Sequence, residues 1–185
     1  TIFQNNATVL QDVPNESIDL VVTSPPYGDS RTTVAYGEYS RLSLQWLGID
    51  NLSEKEIMGI DKSLMGGAKF RNGFEYTIPS QSLRESLFRI KDKDLERAGD
   101  VYSFYNDLKN SIKAVSEKTK IGGYHFWVVG NRTVKGELLK PMSSSRKLLT
   151  ATALSTFIRL IEISSTKLCL RLTLQQTRAE LKQKQ

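Results

Sequence analysis

Apolar positions change period along this chain. Ile18, Leu20, Val21 and Val22 read as a short buried strand running to Thr23, and Ser24-Pro25-Pro26-Tyr27 must end it. Two consecutive prolines remove two backbone donors and fix two φ angles, so regular pairing stops there. The strand thus gives way to a rigid ledge with backbone carbonyls left free, a place built to hold something flat. Upstream, Ile2 and Phe3 begin an apolar edge, ATVLQDV at 7–13 predicts a short helix, and Pro14-Asn15-Glu16-Ser17 predicts a turn into the strand. Residues 94–118 place Leu95, Ala98, Val101, Phe104, Tyr105, Leu108, Ile112 and Val115 on one helix face. After them, Gly122-Gly123 predicts a turn and Tyr124 to Val129 a strand ending in Gly130-Asn131.

Helix followed by strand implies a crossover onto a parallel sheet, so the expected fold class is α/β. Ligands of such sheets sit at the carboxyl ends of strands, where both Ser24–Tyr27 and Gly130-Asn131 fall. Residues 30–93 read as an irregular insertion, interrupted by Gly66-Gly67, Gly73 and Pro79. That insertion is either a surface cover for the sheet or a substrate-reading lid. In the second case Arg31, Tyr36, Tyr39, Arg41, Lys62, Lys69 and Arg71 would supply phosphate and stacking contacts.

Length and charge narrow the class. At 185 residues the chain suits one domain with a real core. No apolar run is long enough to span a bilayer and no basic-then-apolar leader opens the chain, so a soluble protein without membrane partners is expected. The single cysteine, Cys169, has no internal disulfide partner and no companions for a metal site, which fits a cytoplasmic setting and no metal. The net charge of +6 is not spread evenly: residues 1–141 hold 18 Lys+Arg and 18 Asp+Glu, whereas residues 142–185 hold 8 and 2. The basicity belongs to the tail, so the pI does not by itself make the folded part a nucleic-acid binder.

Composition breaks at Pro141. All 12 glycines precede Met142, and from there on Asp, Asn, Pro, Tyr, Trp and His are absent. The chain therefore divides into residues 1–141, with the insertion at about 30–93, and an atypical basic tail at 142–185. A C-terminal subdomain needs turn residues. Three readings compete for the tail: a Leu/Ser-rich helical extension, a disordered basic segment, or translation in a shifted frame. With free choice of codons, reading one base earlier permits an amphipathic helix, a Gly turn, an aromatic-rich strand and a Pro/Asn/Ser loop. One A lost from a run at Lys140 would produce the visible junction, and the frameshift is the expected reading.

The passage from Phe3 through Asn6, with Ile18-Asp19-Leu20-Val21-Val22-Thr23-Ser24-Pro25-Pro26-Tyr27-Gly28, resembles the catalytic region of S-adenosylmethionine-dependent DNA amino-methyltransferases. Their hallmark is a D/N/S-Pro-Pro-Y/F/W loop after a sheet strand. IGGYHFWVVGN is similar to the Gly-Gly-plus-strand of the same subdomain. The resemblance covers about residues 1–140 and implies a partial Rossmann-like methyltransferase sheet. It also implies a site-specific enzyme that methylates the exocyclic amine of cytosine (N4), the base for which a Ser-Pro-Pro-Tyr loop is more typical. Adenine N6, RNA, a protein amide, or an inactive nucleic-acid-binding fragment are the alternatives.

The resemblance assigns Ser24, Pro25, Pro26 and Tyr27 to catalysis, Asn6 and Thr23 to the cofactor S-adenosylmethionine, and Arg31, Tyr36 and Arg41 to DNA. Ser24 Oγ and the Pro25 carbonyl would accept hydrogen bonds from the amine, and Tyr27 would stack on a base flipped out of the duplex. A cognate restriction endonuclease is the implied partner. Asp29 could orient the base or contact phosphate, whereas His125, Phe126 and Trp127 read as packed residues. The family's Gly-rich F-x-G-x-G cofactor segment is not found in this sequence. Since motif order varies in the family and residue 1 is Thr, that segment is expected on a longer polypeptide.

Overall fold

The computed structural model describes residues 6–29, 33–47, 53–67, 80–139, 157–164 and 167–175. They form an α/β structure in which β1 (Ile18–Thr23) pairs in parallel with β2 (Thr119–Gly130). The strand expected before the ledge is β1, but it is not buried: Leu20 and Val22 face outwards and are exposed, while Ile18 and Val21 are half-buried. In register, Val21 faces His125 and Thr23 faces Trp127, so both strands deliver their carboxyl ends to one edge of the sheet. The crossover joining them ends in the long helix α4 (Leu95–Lys118).

α4 forms where the periodicity places it. Asp94 caps its amino end by accepting from the Arg97 N–H, Glu96 lies in its first turn and Lys118 in its last, matching the helix dipole. Its buried face carries Ala98, Val101, Phe104, Tyr105, Leu108 and Ile112 against Trp127 and Val129 of β2. Leu95, counted on that face from spacing, is instead exposed at the first turn. Leu87, Ile90 and Ile112 are fully buried, each stabilising the fold by roughly 1.5–3 kcal/mol.

Residues 33–93, expected as irregular backbone, hold three helices among the described residues: α1 (Tyr36–Leu47), α2 (Glu54–Ser63) and α3 (Gln81–Lys93). α3 belongs to the core, since Leu83, Leu87 and Ile90 pack with α4. α2 opens on a Ser53/Glu56 capping box, a local signal for a helix start. Asp61 of α2 accepts from the Gly37 and Glu38 N–H groups at 2.9 and 3.1 Å, joining α2 to the first turn of α1.

The expected helix at 7–13 is a run of turns. Asn6 Oδ1 accepts from the Thr8 N–H at 2.9 Å and the Thr8 hydroxyl at 2.7 Å, an Asx turn that competes with helix, and Leu10 (φ 49°) leaves the helical region. Gly122-Gly123 does not separate helix from strand either. Ile18 faces Thr119 while Leu20 already faces Tyr124, so the glycines form a bulge inside β2.

Beyond β2, β3 (Arg132–Val134) and β4 (Glu137–Leu139) make a hairpin whose Lys135-Gly136 turn has φ of 49° and 81°, the type I′ geometry. Glu137 holds the hairpin to α3 through Arg89 at 2.7 Å and Lys93 at 2.8 Å, and these cations draw its carboxyl below the usual range. Ile2, Phe3 and the Lys140-Pro141 junction lie outside the described residues. In the tail, β5 (Phe157–Ser164) pairs in parallel with β2, and β6 (Lys167–Gln175) runs antiparallel to β5, giving the order β1-β2-β5-β6. KLCLRLTLQ alternates apolar and polar residues at period two, a strand signal that the helical reading of the tail overlooked. One face of β2 packs on the helices through Trp127 and Val129; on the other face of β1 and β2, Leu20, Val22 and Tyr124 are exposed and Phe126 is half-buried.

Candidate active site

The ledge begins where β1 can no longer pair. Pro25 is buried and Pro26 half-buried, which anchors the turn, while Ser24 and Tyr27 remain exposed. Ser24 Oγ lies 3.2 Å from the Tyr27 hydroxyl. The Tyr27 ring lies over Gly130 at the end of β2, so closely that a methyl group there would stand 3.1 Å from two ring carbons. Gly130 thus gives the ring its seat. Tyr27 is still 42% exposed, which leaves ring surface open beside two hydroxyls.

Below the ledge, Gly28 is required for a second close approach: a Cβ there would run into the Arg132 guanidinium. That guanidinium donates from Nη2 to Asp29 Oδ2 at 2.9 Å. Arg97 of α4 reaches the same oxygen at 3.1 Å and also donates to Asp100 Oδ2 at 3.2 Å. Asp29 is fully buried, so its carboxylate neither touches a solvent-borne phosphate nor orients a base from the surface. Tyr105, buried nearby, has its phenol pushed well above the usual range by desolvation, partly offset by the Arg132 charge.

Thr23, assigned to the cofactor from sequence, is half-buried on the last rung of β1. Asn6 is exposed, with its side-chain oxygen engaged by Thr8. Between them they offer one hydroxyl and one amide, too few polar groups to hold a nucleoside-sized molecule without further residues. Tyr36 is exposed at the start of α1; Arg41, one turn on, is half-buried, and its Nε has no hydrogen-bond partner among the described residues. Arg31, Lys69 and Arg71 lie outside the described residues.

His125 is a packed residue: it is fully buried, Nε2 lies 2.7 Å from Thr119 Oγ1, and that hydroxyl donates to the Val115 carbonyl. The hydroxyl proton being used, Nε2 carries the imidazole hydrogen, and desolvation pulls the ring pKa down to about 4. Residues not singled out from sequence are Arg97 and Arg132; Gly130 was placed at the carboxyl end of its strand, but not as the seat of Tyr27. Their one sequence signal was an arginine two residues after the glycine that ends β2.

Fold and ledge together define an α/β protein with a rigid, hydroxyl-bearing turn at the carboxyl end of a parallel strand. The chain is 44% identical over 137 residues to the Type II methyltransferase M.MvaI of Kocuria varians. The match takes in 71% of this chain and 30% of that protein, so the chain spans less than a third of its relative's length. No protein-family model matches the chain. No solved structure matches it.

Proposed function

We propose that this chain is the amine-seating catalytic part of a Type II DNA methyltransferase of a restriction-modification system, acting in the cytoplasm on the N4 amine of cytosine in duplex DNA. The observation that carries the reading is the Ser24–Tyr27 ledge seated on Gly130 at the end of two parallel strands. Similarity to the Type II methyltransferase of Kocuria varians supports the reaction class, and the serine that opens the ledge supports cytosine.

The amine of cytosine is a poor nucleophile because its lone pair is delocalised into the ring. Ser24 Oγ keeps a lone pair whichever hydroxyl donates in the Ser24–Tyr27 pair, and it accepts one amine hydrogen. The Pro25 carbonyl, on backbone fixed by two prolines, accepts the other. Holding both hydrogens out of the base plane favours the pyramidal, nucleophilic nitrogen. Tyr27 stacks on the flipped base. S-adenosylmethionine, when bound, supplies the electrophilic methyl group; Thr23 and Asn6 are its proposed contacts on this chain. Arg31, Tyr36 and Arg41 are the proposed contacts to the duplex, and the cognate endonuclease is the proposed partner.

The test is a chimera in which this chain replaces the matching region of the Kocuria varians methyltransferase, incubated with duplex DNA and a labelled methyl donor, with the modified nucleoside then identified by mass spectrometry. N4-methylcytosine is the expected product. N6-methyladenine would overturn the base assignment, and a folded, DNA-binding chimera that transfers nothing would overturn the reading.

A further inference from the structure

Four segments meet at Asp29. It stands immediately after the ledge; its carboxylate receives Arg132 from β3 and Arg97 from α4; and its backbone carbonyl accepts from the Thr33 N–H at 3.2 Å and the Thr33 hydroxyl at 2.8 Å, just before α1. The fourth segment is the turn after α2. Gly66 approaches so closely that a Cβ would stand 2.9 Å from Asp29 Cβ and 3.1 Å from Phe104 Cβ, and its N–H donates to Asp107 Oδ2 of α4 at 2.9 Å. Burial raises the Asp107 carboxyl above its usual range, against the pull of that N–H.

The charges balance. Asp29 and Asp100 supply two carboxylates, Arg97 and Arg132 two guanidiniums, and the side chains of Arg97 and Arg132 are only 14% and 12% exposed. Arginines beside a nucleic-acid site serve as phosphate contacts when they face solvent. These two are turned inward onto a buried acceptor, where planar forks fix direction as well as charge. Arg132 lies directly under Gly28, next to Tyr27.

We propose that Asp29, Arg132 and Arg97 form a positioning device that sets the Tyr27 ring on Gly130 and fixes where the inserted helices leave and return beside the ledge. The consequence for catalysis rests on the proposed function; the geometric role does not. Arg132 touches no substrate. It acts through Asp29 and Gly28 on the height and tilt of the ledge.

The test uses nuclear Overhauser contacts between the Tyr27 ring and Gly130 in the 185-residue chain, wild type against Arg132→Met and Arg132→Lys, with the Phe104–Tyr105 ring contact as the control for an intact core. Arg132→Met is expected to shift the Tyr27 resonances and weaken the contact to Gly130 while the control persists. Arg132→Lys, which keeps the charge without the fork, is expected to restore the contact in part and decides the matter if the methionine variant does not fold. An unchanged Tyr27–Gly130 contact in the lysine variant, or in a folded methionine variant, overturns the proposal. In the chimera, Arg132→Lys is expected to lower kcat by about tenfold with KM for duplex unchanged, the signature of misplacement; a rise in KM alone would instead make Arg132 a DNA contact. A silent wild-type chimera would count against the methyltransferase reading while leaving the resonance experiment decisive for the geometry.

Discussion

The ring of Tyr27 lies against the α-carbon of Gly130, joining the turn after one parallel strand to the last residue of its neighbour. That contact explains why a glycine ends β2 and why the ledge stands at a fixed height. It also joins the two features that the hydrophobic pattern singled out separately.

Gly130→Ala tests the seat itself. A methyl group 3.1 Å from two ring carbons forces Tyr27 to give by a few tenths of an ångström. In the chimera this is expected to cost about tenfold in kcat with little change in unfolding midpoint, because the displacement falls on the ledge and not on the core. Wild-type kcat in a folded Gly130→Ala protein would show that the ring's seat is irrelevant to turnover.

Gly28→Ala strikes the Arg132 guanidinium and so attacks the ion cluster from above. Displacing a nearly buried cation from a buried carboxylate is expected to cost about 2–4 kcal/mol in urea unfolding. Much of that cost disappears when Arg132 is already Ala, so a double-mutant cycle should show coupling of about 1 kcal/mol or more. Additive costs would mean that Gly28 is required for some other reason.

Neutral His125 gives stability a pH dependence of known sign. Its pKa in the fold is about 4, against about 6.5 in the unfolded chain, so above pH 6.5 both states are neutral and nothing is lost. As pH falls from there towards 4, only the unfolded chain takes up the proton, and stability drops by up to about 3 kcal/mol. Urea unfolding at pH 7.0 and 4.5 should show a smaller drop for His125→Gln than for wild type. Equal drops would mean that the imidazole is not held neutral.

Much of the frame was legible because it rests on local periodicity. α4 matches the apolar spacing except at Leu95, and two prolines mark the end of β1, but the strand read as buried leaves Leu20 and Val22 exposed. The features that escaped depend on partners distant in sequence. Asp29 meets Arg132 across 103 positions, and nothing in the residues around Asp29 announces a buried carboxylate with two guanidiniums. The predicted helix at 7–13 fails because the Asn6 side chain bonds to Thr8, a local competitor that hydrophobic spacing does not register. α3 was hidden behind Gly66-Gly67, Gly73 and Pro79, although Leu83, Leu87 and Ile90 have helical spacing and are buried.

The break at Pro141 carries a genetic proposal: residues after Lys140 derive from a shifted frame, since every glycine precedes Met142. Sequencing the source DNA is expected to show that one additional A in the run at Lys140 opens a frame continuing the domain. An intact gene with no such frame would make the tail, including the segment that pairs as β5 and β6, the native sequence.

The most direct measurement is methyl transfer by the chimera carrying Tyr27→Ala, with DNA affinity measured in parallel. If the ledge seats a flipped base, transfer falls by at least about a hundredfold while duplex binding stays within a few-fold of wild type. Undiminished transfer by a folded Tyr27→Ala protein would contradict the central claim.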